Sequence, residues 1–178
     1  MSVVFEPLIR RLRYLEKTVQ QLDRRINNMV REAVVTEVFP AEGMAKVEAN
    51  GLKSKKVPWL QRAGDINEWD PPSVGERVLL LSPTGEPGTG MIMPGGYSDK
   101  FDAPHGEGGE KVTAIGDVRI TQTGSSFTIV AGGVTVEISG AGLTVNGGRV
   151  EHDSLNIGST HTHGGVTPGA GDTDVPNA

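Results

Sequence analysis

The chain has 178 residues, no cysteine and a formal net charge of −5 at pH 7, and 36% of its residues are hydrophobic. The acidic balance argues against a nucleic-acid partner, which needs a basic face, and the missing cysteines exclude a disulfide framework. The hydrophobic count omits the 25 glycines, which the ~45–50% typical of globular domains includes, and large aromatic side chains are few: four Phe, two Tyr and two Trp. One copy therefore has little with which to build a compact core, and self-association is expected.

Nothing in the sequence indicates secretion or membrane insertion. The N-terminus lacks the apolar segment of a signal peptide, and no run of 18 apolar residues occurs. We therefore expect a protein that is made in the cytoplasm, with neither a signal peptide nor a membrane span.

Residues 1–33 are predicted to be helical, because apolar residues recur there at alternating spacings of four and three. This heptad seam comprises Leu12, Val19 and Ile26 at position a and Leu8, Leu15, Leu22 and Met29 at position d. Arg11 at g and Glu16 at the following e are placed to pair between parallel chains. Both a coiled coil and an amphipathic helix packed on its own domain fit the pattern. β-branched residues at a with leucine at d favour two strands, so the seam indicates association without fixing the number of chains.

Residues 34–98 show the pattern of a small antiparallel barrel. Five short apolar or alternating segments fall within about 60 residues, and Asn50-Gly51 is a strong hairpin signal. Strands of this number and length favour an OB-fold. The segment has no aromatic stacking platform interleaved with basic residues, so we interpret it as structural rather than as an oligonucleotide-binding domain.

Residues 99–111 are predicted to be a linker, and residues 112–150 a repetitive β structure. Short segments with one apolar face and one Thr-, Glu- or Arg-bearing face are separated by glycines about every eight residues. A single ribbon of this kind is not stable alone in water. Three copies wrapped around an axis would bury the apolar faces and pair the open strand edges.

Residues 151–178 contain His161-Thr162-His163, just before a Gly- and Pro-rich tail. In an extended strand, side chains at i and i+2 share a face. The motif lacks the further ligands of a zinc site. For a single chain there are two alternatives. The two histidines are exposed in a tail, or they form a metalloenzyme site together with nearby carboxylates and a third histidine. With three copies, the pair from each chain would form a saturated octahedral nitrogen site, suited to a structural role. In the metalloenzyme alternative, the additional ligands would come from Glu151, His152 and Asp153.

The whole chain resembles the baseplate assembly protein V family, the central spikes of contractile phage tails and of related tail-like bacteriocins such as R-type pyocins. The resemblance rests on Trp59-Leu60-Gln61-Arg62-Ala63, on the run from Trp69-Asp70-Pro71-Pro72 to Val78, on Ser82-Pro83-Thr84-Gly85-Glu86, and most specifically on Ser159 to Val166 with Pro168-Gly169-Ala170-Gly171 and Pro176. The N-terminal heptads are a departure from it, with no link to the family's shared function.

This resemblance implies a homotrimer with an OB-fold barrel and an intertwined trimeric β-helix that ends in a metal-bound apex. Together with the N-terminal helix predicted from the heptads, the expected fold class is mainly β. The resemblance also implies one iron ion per trimer, held octahedrally by His161 and His163 of each chain, and no catalytic residue. The partners implied are baseplate hub and tail tube proteins, with the host outer membrane as the target pierced on sheath contraction. The particle is a virion or bacteriocin, with the protein at the tail baseplate tip. A trimeric receptor-binding fibre tip and a small non-heme metalloenzyme are the alternative functions.

Overall fold

The computed structural model describes residues 2–159 together with residues 161, 165 and 169. The chain divides into two compact units, Met1–Ala103 and Pro104–Ala178. Within the described residues, the first unit contains one α-helix and a six-stranded sheet, and the second contains a five-stranded sheet and a short hairpin. The expectation of a mainly β chain with an N-terminal helix is thus confirmed.

The helix, α1, spans Ser2–Met29, and strand β1, Val30–Phe39, follows it without a loop. The sequence predicts helix as far as residue 33, so the prediction ends one turn too late. Val30 to Ala33 pair instead with Leu81 to Val78 of a later strand. Ala33 is 3% exposed there. Ladder hydrogen bonds and burial against the sheet outweigh the helical preference of these residues.

Five further strands complete the sheet of the first unit: β2 Met44–Ala49, β3 Leu52–Lys53, β4 Val57–Pro58, β5 Arg77–Leu81 and β6 Met91–Pro94. The Asn50-Gly51 hairpin is confirmed. Both residues have positive φ, 50° and 79°, which is the backbone that a tight β2–β3 turn requires.

The sheet of the first unit closes on itself. Its strand order is β3-β2-β1-β5-β6, and β4 also pairs with β2. Just after β4, Trp59 forms a parallel bridge with Ile92 of β6, and the Leu60 N–H donates to the Ile92 carbonyl at 2.7 Å. The ring therefore runs β1-β2-β4-β6-β5 and back to β1, which is the small, OB-like barrel expected from the sequence.

The core of the barrel consists of the alternate, inward-facing residues of its strands. In β2, for example, Ala45, Val47 and Ala49 are buried while their neighbours are half-exposed. The fully buried apolar set is Ala33, Val35, Ala45, Val47, Ala49, Val57, Val78, Leu80 and Ile92. The core is small and aliphatic, and it is complete within one copy of the chain.

The loop after β5 fastens the C-terminal end of α1 to the barrel. The Ser82 N–H donates to the Met29 carbonyl at 2.7 Å, which satisfies one of the acceptors left open at a helix end. Gly85 has a φ of +71°, and a Cβ there would lie 2.6 Å from the Arg25 carbonyl oxygen. Glycine thus allows the loop to lie directly against the helix backbone.

The sheet of the second unit is an antiparallel meander in the order β11-β10-β9-β8-β7. Its strands are β7 Lys111–Ile115, β8 Val118–Gln122, β9 Ser126–Ala131, β10 Val134–Ser139 and β11 Gly142–Asn146. Four of these match the alternating segments of the sequence. The sequence pattern does not indicate strand β7, because the glycines and charges that precede it predict a linker up to residue 111.

The register of the meander aligns the apolar residues in rows across the strands. Ile120, Ile129, Val136 and Val145 are opposite one another in successive strands. A second row contains Phe127, Ile138 and Leu143. Residues two apart in a strand share a face, so both rows lie on the same side of the sheet. The opposite side carries Arg119, Thr128, Glu137 and Thr144, as the sequence predicts.

Candidate functional site

The segment that leads to the predicted metal site begins with a short hairpin. Its strands are β12, Glu151–His152, and β13, Leu155–Asn156. The turn residues Asp153 and Ser154 have positive φ values of 46° and 66°. Pairing extends one step beyond the strands, because the Ile157 N–H donates to the Val150 carbonyl at 2.8 Å. The hairpin therefore fixes the position of the backbone immediately before residue 158.

Two turns then position His161. The Gly158 N–H donates to Asn156 Oδ1 at 2.9 Å, and the His161 N–H donates to the Gly158 carbonyl at 3.1 Å. The second turn places the exposed His161 after a bend rather than inside a strand. Asn156 and Gly158 are site-positioning residues that sequence reasoning missed; an asparagine two residues before a glycine was the available turn signal.

The imidazole of His161 has a defined tautomer when it is neutral. Its Nδ1 lies 2.6 Å from the Gly158 carbonyl oxygen. A carbonyl can only accept, so Nδ1 carries the proton and the ring lone pair is on Nε2. A hydrogen bond from one ring nitrogen to a carbonyl is the usual arrangement of a metal-binding histidine. His161 thus has the donor chemistry that the predicted iron site requires.

The second predicted ligand, His163, lies outside the described residues. The same-face arrangement of His161 and His163 therefore stays a prediction, as does the metal itself. Among the residues that the structure does describe in one chain, no three histidine, aspartate or glutamate side chains are close enough to hold a metal ion. Any metal bound through His161 needs ligands beyond that set.

The residues considered for a metalloenzyme do not converge on His161. Glu151 forms an ion pair with Arg149. His152 Nδ1 lies 3.5 Å from Asp153 Oδ2, and these side chains are 77% and 89% exposed. These side chains face solvent at the hairpin, where contacts between polar groups have little energetic consequence. The hairpin thus presents these groups without enclosing a substrate site.

The two tryptophan motifs of the sequence meet in the barrel. Trp59, half-buried, supplies the parallel bridge that closes the ring. The Trp69 ring contacts it edge to face, with the ring centroids 5.5 Å apart and the planes at 69°. This is a favourable geometry for two aromatic rings. Trp59 thus closes the barrel, and Trp69 packs against the residue that closes it.

The loop between Trp69 and β5 is hydrogen-bonded to β1. The Val35 N–H donates to the Glu76 carbonyl at 2.9 Å, and the Gly75 N–H donates to the Val35 carbonyl at 2.8 Å. The Glu76 carboxylate also accepts from the Ser73 N–H at 2.8 Å. These residues hold the barrel together through backbone contacts, which is a structural role.

Comparison with known proteins finds a family match in the same region. Residues 31–97 match the family described as the type VI secretion system/phage-baseplate injector OB domain. The spike protein of Escherichia phage P2 is 37% identical over 87 residues, which cover 48% of this chain and 41% of that protein. Residues 31–97 are thus similar to injector OB domains, and the chain is similar in part to a phage spike protein. The aligned part spans less than half of the P2 protein's length.

The segment that matches the family model coincides with the barrel. It begins at the second residue of β1 and ends three residues after β6. Helix α1 and the second unit lie outside the match, so their roles rest on their own structure. In the described part of the chain, no helix is both long and apolar enough to cross a membrane.

Proposed function

We propose that this chain is the central spike of a contractile tail, a homotrimer at the tip of the tail tube that is driven through the host outer membrane. Its place is the baseplate of a virion or bacteriocin particle, where it contacts baseplate hub and tail tube proteins. The observation that carries the proposal is the match of the barrel to injector OB domains. The role is mechanical, and no residue is assigned to catalysis.

The second unit supports the trimer. Within one chain its apolar sheet face has no covering layer among the described residues: Ile138 is 53% and Leu143 is 66% exposed. A single sheet with one apolar face is not stable in water unless that face packs on another element. Equivalent faces from three copies supply that layer, and pairing between chains covers the open edges of β7 and β11. Such a shaft resists bending, because bending must break many hydrogen bonds together.

The metal belongs to the apex. His161 and His163 of the three chains are proposed to hold one iron ion, which suits imidazole ligands. When bound, the ion supplies a cross-link between chain ends and no reactive position. The Gly158 carbonyl holds the His161 ring with its proton on Nδ1, which keeps the lone pair on the nitrogen that binds. The protein's own part at His161 is thus to orient the imidazole for the ion.

Mass by light scattering, combined with elemental analysis, tests both parts. We expect three chains and about one iron per trimer. The double variant His161→Ala/His163→Ala is expected to lose the iron and to remain trimeric, because the apolar sheet faces still associate. His105→Ala is the matched control, since His105 pairs with Glu110 far along the sequence from the tip; it is expected to keep the iron.

Four results would contradict the proposal. A monomer, or one metal per chain, would overturn the spike assembly. Iron retained by the double variant would exclude His161 and His163 as its ligands. Loss of the trimer in the double variant would show that the tip is required for assembly, so that the sheet faces alone do not hold the three chains together.

A further inference from the structure

Helix α1 keeps an apolar face that its own chain does not cover. Every residue of the heptad seam, from Leu8 to Met29, is between 42% and 64% exposed. The first turn adds Phe5, 58% exposed, one heptad before Leu12 at the same position a. The barrel covers none of this face, so packing of α1 on its own domain, one of the two interpretations open from the sequence, is wrong.

A helix of this kind needs a partner. α1 has 28 residues, which corresponds to a rod about 42 Å long. Most helical stability in proteins comes from packing of an amphipathic face rather than from intrinsic propensity. Four residues at a and four at d, spaced without interruption, match the knobs-into-holes pattern of a coiled coil. The apolar face therefore fits another helix with the same repeat.

The flanking charges identify that helix as a second copy of α1. Basic residues stand at position g, Arg11 and Arg25, and acidic residues stand at position e, Glu16 and Asp23. In a parallel pair, g of one chain faces the following e of the other, so Arg11 meets Glu16. An antiparallel pair would instead place g against g and e against e, arginine beside arginine and carboxylate beside carboxylate, which is destabilising.

The spacing from g to the following e pairs Arg11 with Glu16 alone, because the g residue before Asp23 is Thr18 and the helix ends before an e residue follows Arg25. Arg11 and Glu16 are exposed, and no ion pair within the described residues of one chain involves them. The seam ends where the barrel begins, since Met29 is the last helical residue and its carbonyl accepts from the Ser82 N–H. Every copy therefore carries its heptads at the same distance from its barrel, and a parallel pair in register, with Arg11 opposite Glu16, places the barrels at the same level.

From these observations we infer that α1 is a self-association site: the helices of neighbouring copies form a parallel, in-register coiled coil along the heptad seam. The occupant of the seam is the same helix of another copy of this chain. This inference does not rest on the proposed spike function, and it concerns a part of the chain outside the matched OB domain.

Cysteine cross-linking of the full chain tests it, because the natural sequence has no cysteine. Residues at the same d position lie side by side in a parallel coiled coil. Leu15→Cys is therefore expected to form a covalent dimer under mild oxidation in dilute solution. Gln20→Cys, on the opposite face at position b, is the matched control and is expected to stay monomeric on a denaturing gel.

The extent of cross-linking also counts the chains. Three helices with one cysteine each leave one chain without a partner, so about two thirds of the protein would be linked at completion, whereas a two-stranded coil approaches full linkage. Both yields support the inference. Equal and slow cross-linking of Leu15→Cys and Gln20→Cys would overturn it.

Orientation is tested by mixing two variants. In a parallel coil, Leu8→Cys and Ile26→Cys are at opposite ends and give only like-with-like disulfides. A mixed disulfide between them would overturn the parallel arrangement. Circular dichroism at 222 nm checks that each variant stays helical; a variant that has lost helix is replaced by Leu22→Cys, at the next d position after Leu15, with the same expected outcome.

The results separate this inference from the spike proposal. A trimer with its iron in which Leu15→Cys does not cross-link would reject the coiled coil and leave the spike proposal intact. Efficient cross-linking in a protein without iron would support the coiled coil and reject the proposed apex. The two ideas therefore fail independently.

Discussion

The barrel and the C-terminal sheet solve the problem of burying apolar surface in opposite ways. The barrel encloses nine fully buried apolar residues within one chain. In the second unit, none of the described residues reaches that degree of burial. Both are built from short alternating strands, yet the barrel strands curve into a ring and the sheet strands stay in one open layer.

Closure accounts for this difference. The Trp59–Ile92 bridge joins the two ends of the barrel's sheet, so that its inner face packs on itself. The meander has no such bridge among its described residues, and its edge strands β7 and β11 are on opposite sides of the layer. The core of the barrel is thus complete within one chain. In the proposed trimer, the stability of the sheet depends instead on contact with other copies and therefore on protein concentration.

The largest effect is expected from a cavity in the barrel. Leu80 is 2% exposed in the core, and Leu80→Ala should lower the free energy of unfolding by about 2–5 kcal/mol, because it removes buried methyl groups and leaves a void. Chemical denaturation followed by tryptophan fluorescence reports on the barrel, since both tryptophans are in it. The loss should be the same at low and high protein concentration. A loss that varies with concentration would show that the barrel depends on assembly.

A leucine-to-alanine substitution in the sheet of the second unit is expected to have a smaller effect, on assembly rather than on the stability of one chain. Leu143 is 66% exposed in one chain, so Leu143→Ala would cost little if the chain acted alone. Burial of this side chain between copies makes the cost about 1.5–3 kcal/mol per chain. The measurement is the concentration at which the assembled protein dissociates, which should rise. An unchanged dissociation concentration would mean that this face is not covered by other copies.

The smallest effect concerns the junction between α1 and the barrel. Gly85→Ala forces a side chain into a left-handed backbone, at a cost of about 1–2 kcal/mol, and brings its Cβ into contact with the Arg25 backbone. Gly43→Ala is the control, because Gly43 has a similar φ of +66° with open space around its Cβ position. Thermal unfolding should show a larger loss for Gly85→Ala. Equal losses would show that the loop yields and that the close approach to α1 is not required.

Much of the fold was predictable because local signals agreed with the tertiary structure. Asn50-Gly51 specified a hairpin, strict alternation in β2 specified which residues face the barrel core, and alternation in β10 specified which residues share the apolar face of the sheet. The last turn of the helix was not predictable in this way. Residues 30–33 continue a helical pattern, and only their pairing with β5, distant in sequence, makes them a strand. Nothing local to those residues reveals that pairing.

The candidate site was predictable in its residue types but not in its geometry. His161 stands out in the sequence because of its spacing from His163. Its tautomer depends on the Gly158 carbonyl, and the position of that carbonyl depends on the Asn156 side chain. Such contacts follow from backbone angles that no residue pattern specifies fully. The edge-to-face packing of Trp59 and Trp69 has the same origin, since the two rings are brought together by the closure of the barrel.

Because β1 begins at Val30, directly after the last helical residue Met29, no flexible linker separates α1 from the barrel. A flexible linker between helix and barrel would absorb torsion, whereas any rotation of α1 about its own axis must twist β1 or break the bond from the Ser82 N–H to the Met29 carbonyl. Torque and axial thrust applied to the helix are therefore delivered to a central strand of the barrel, which is hydrogen-bonded on both sides to β2 and β5. A force on the helix is therefore distributed over the hydrogen bonds of β1 with both β2 and β5, and β1 cannot separate from the barrel unless both sets break.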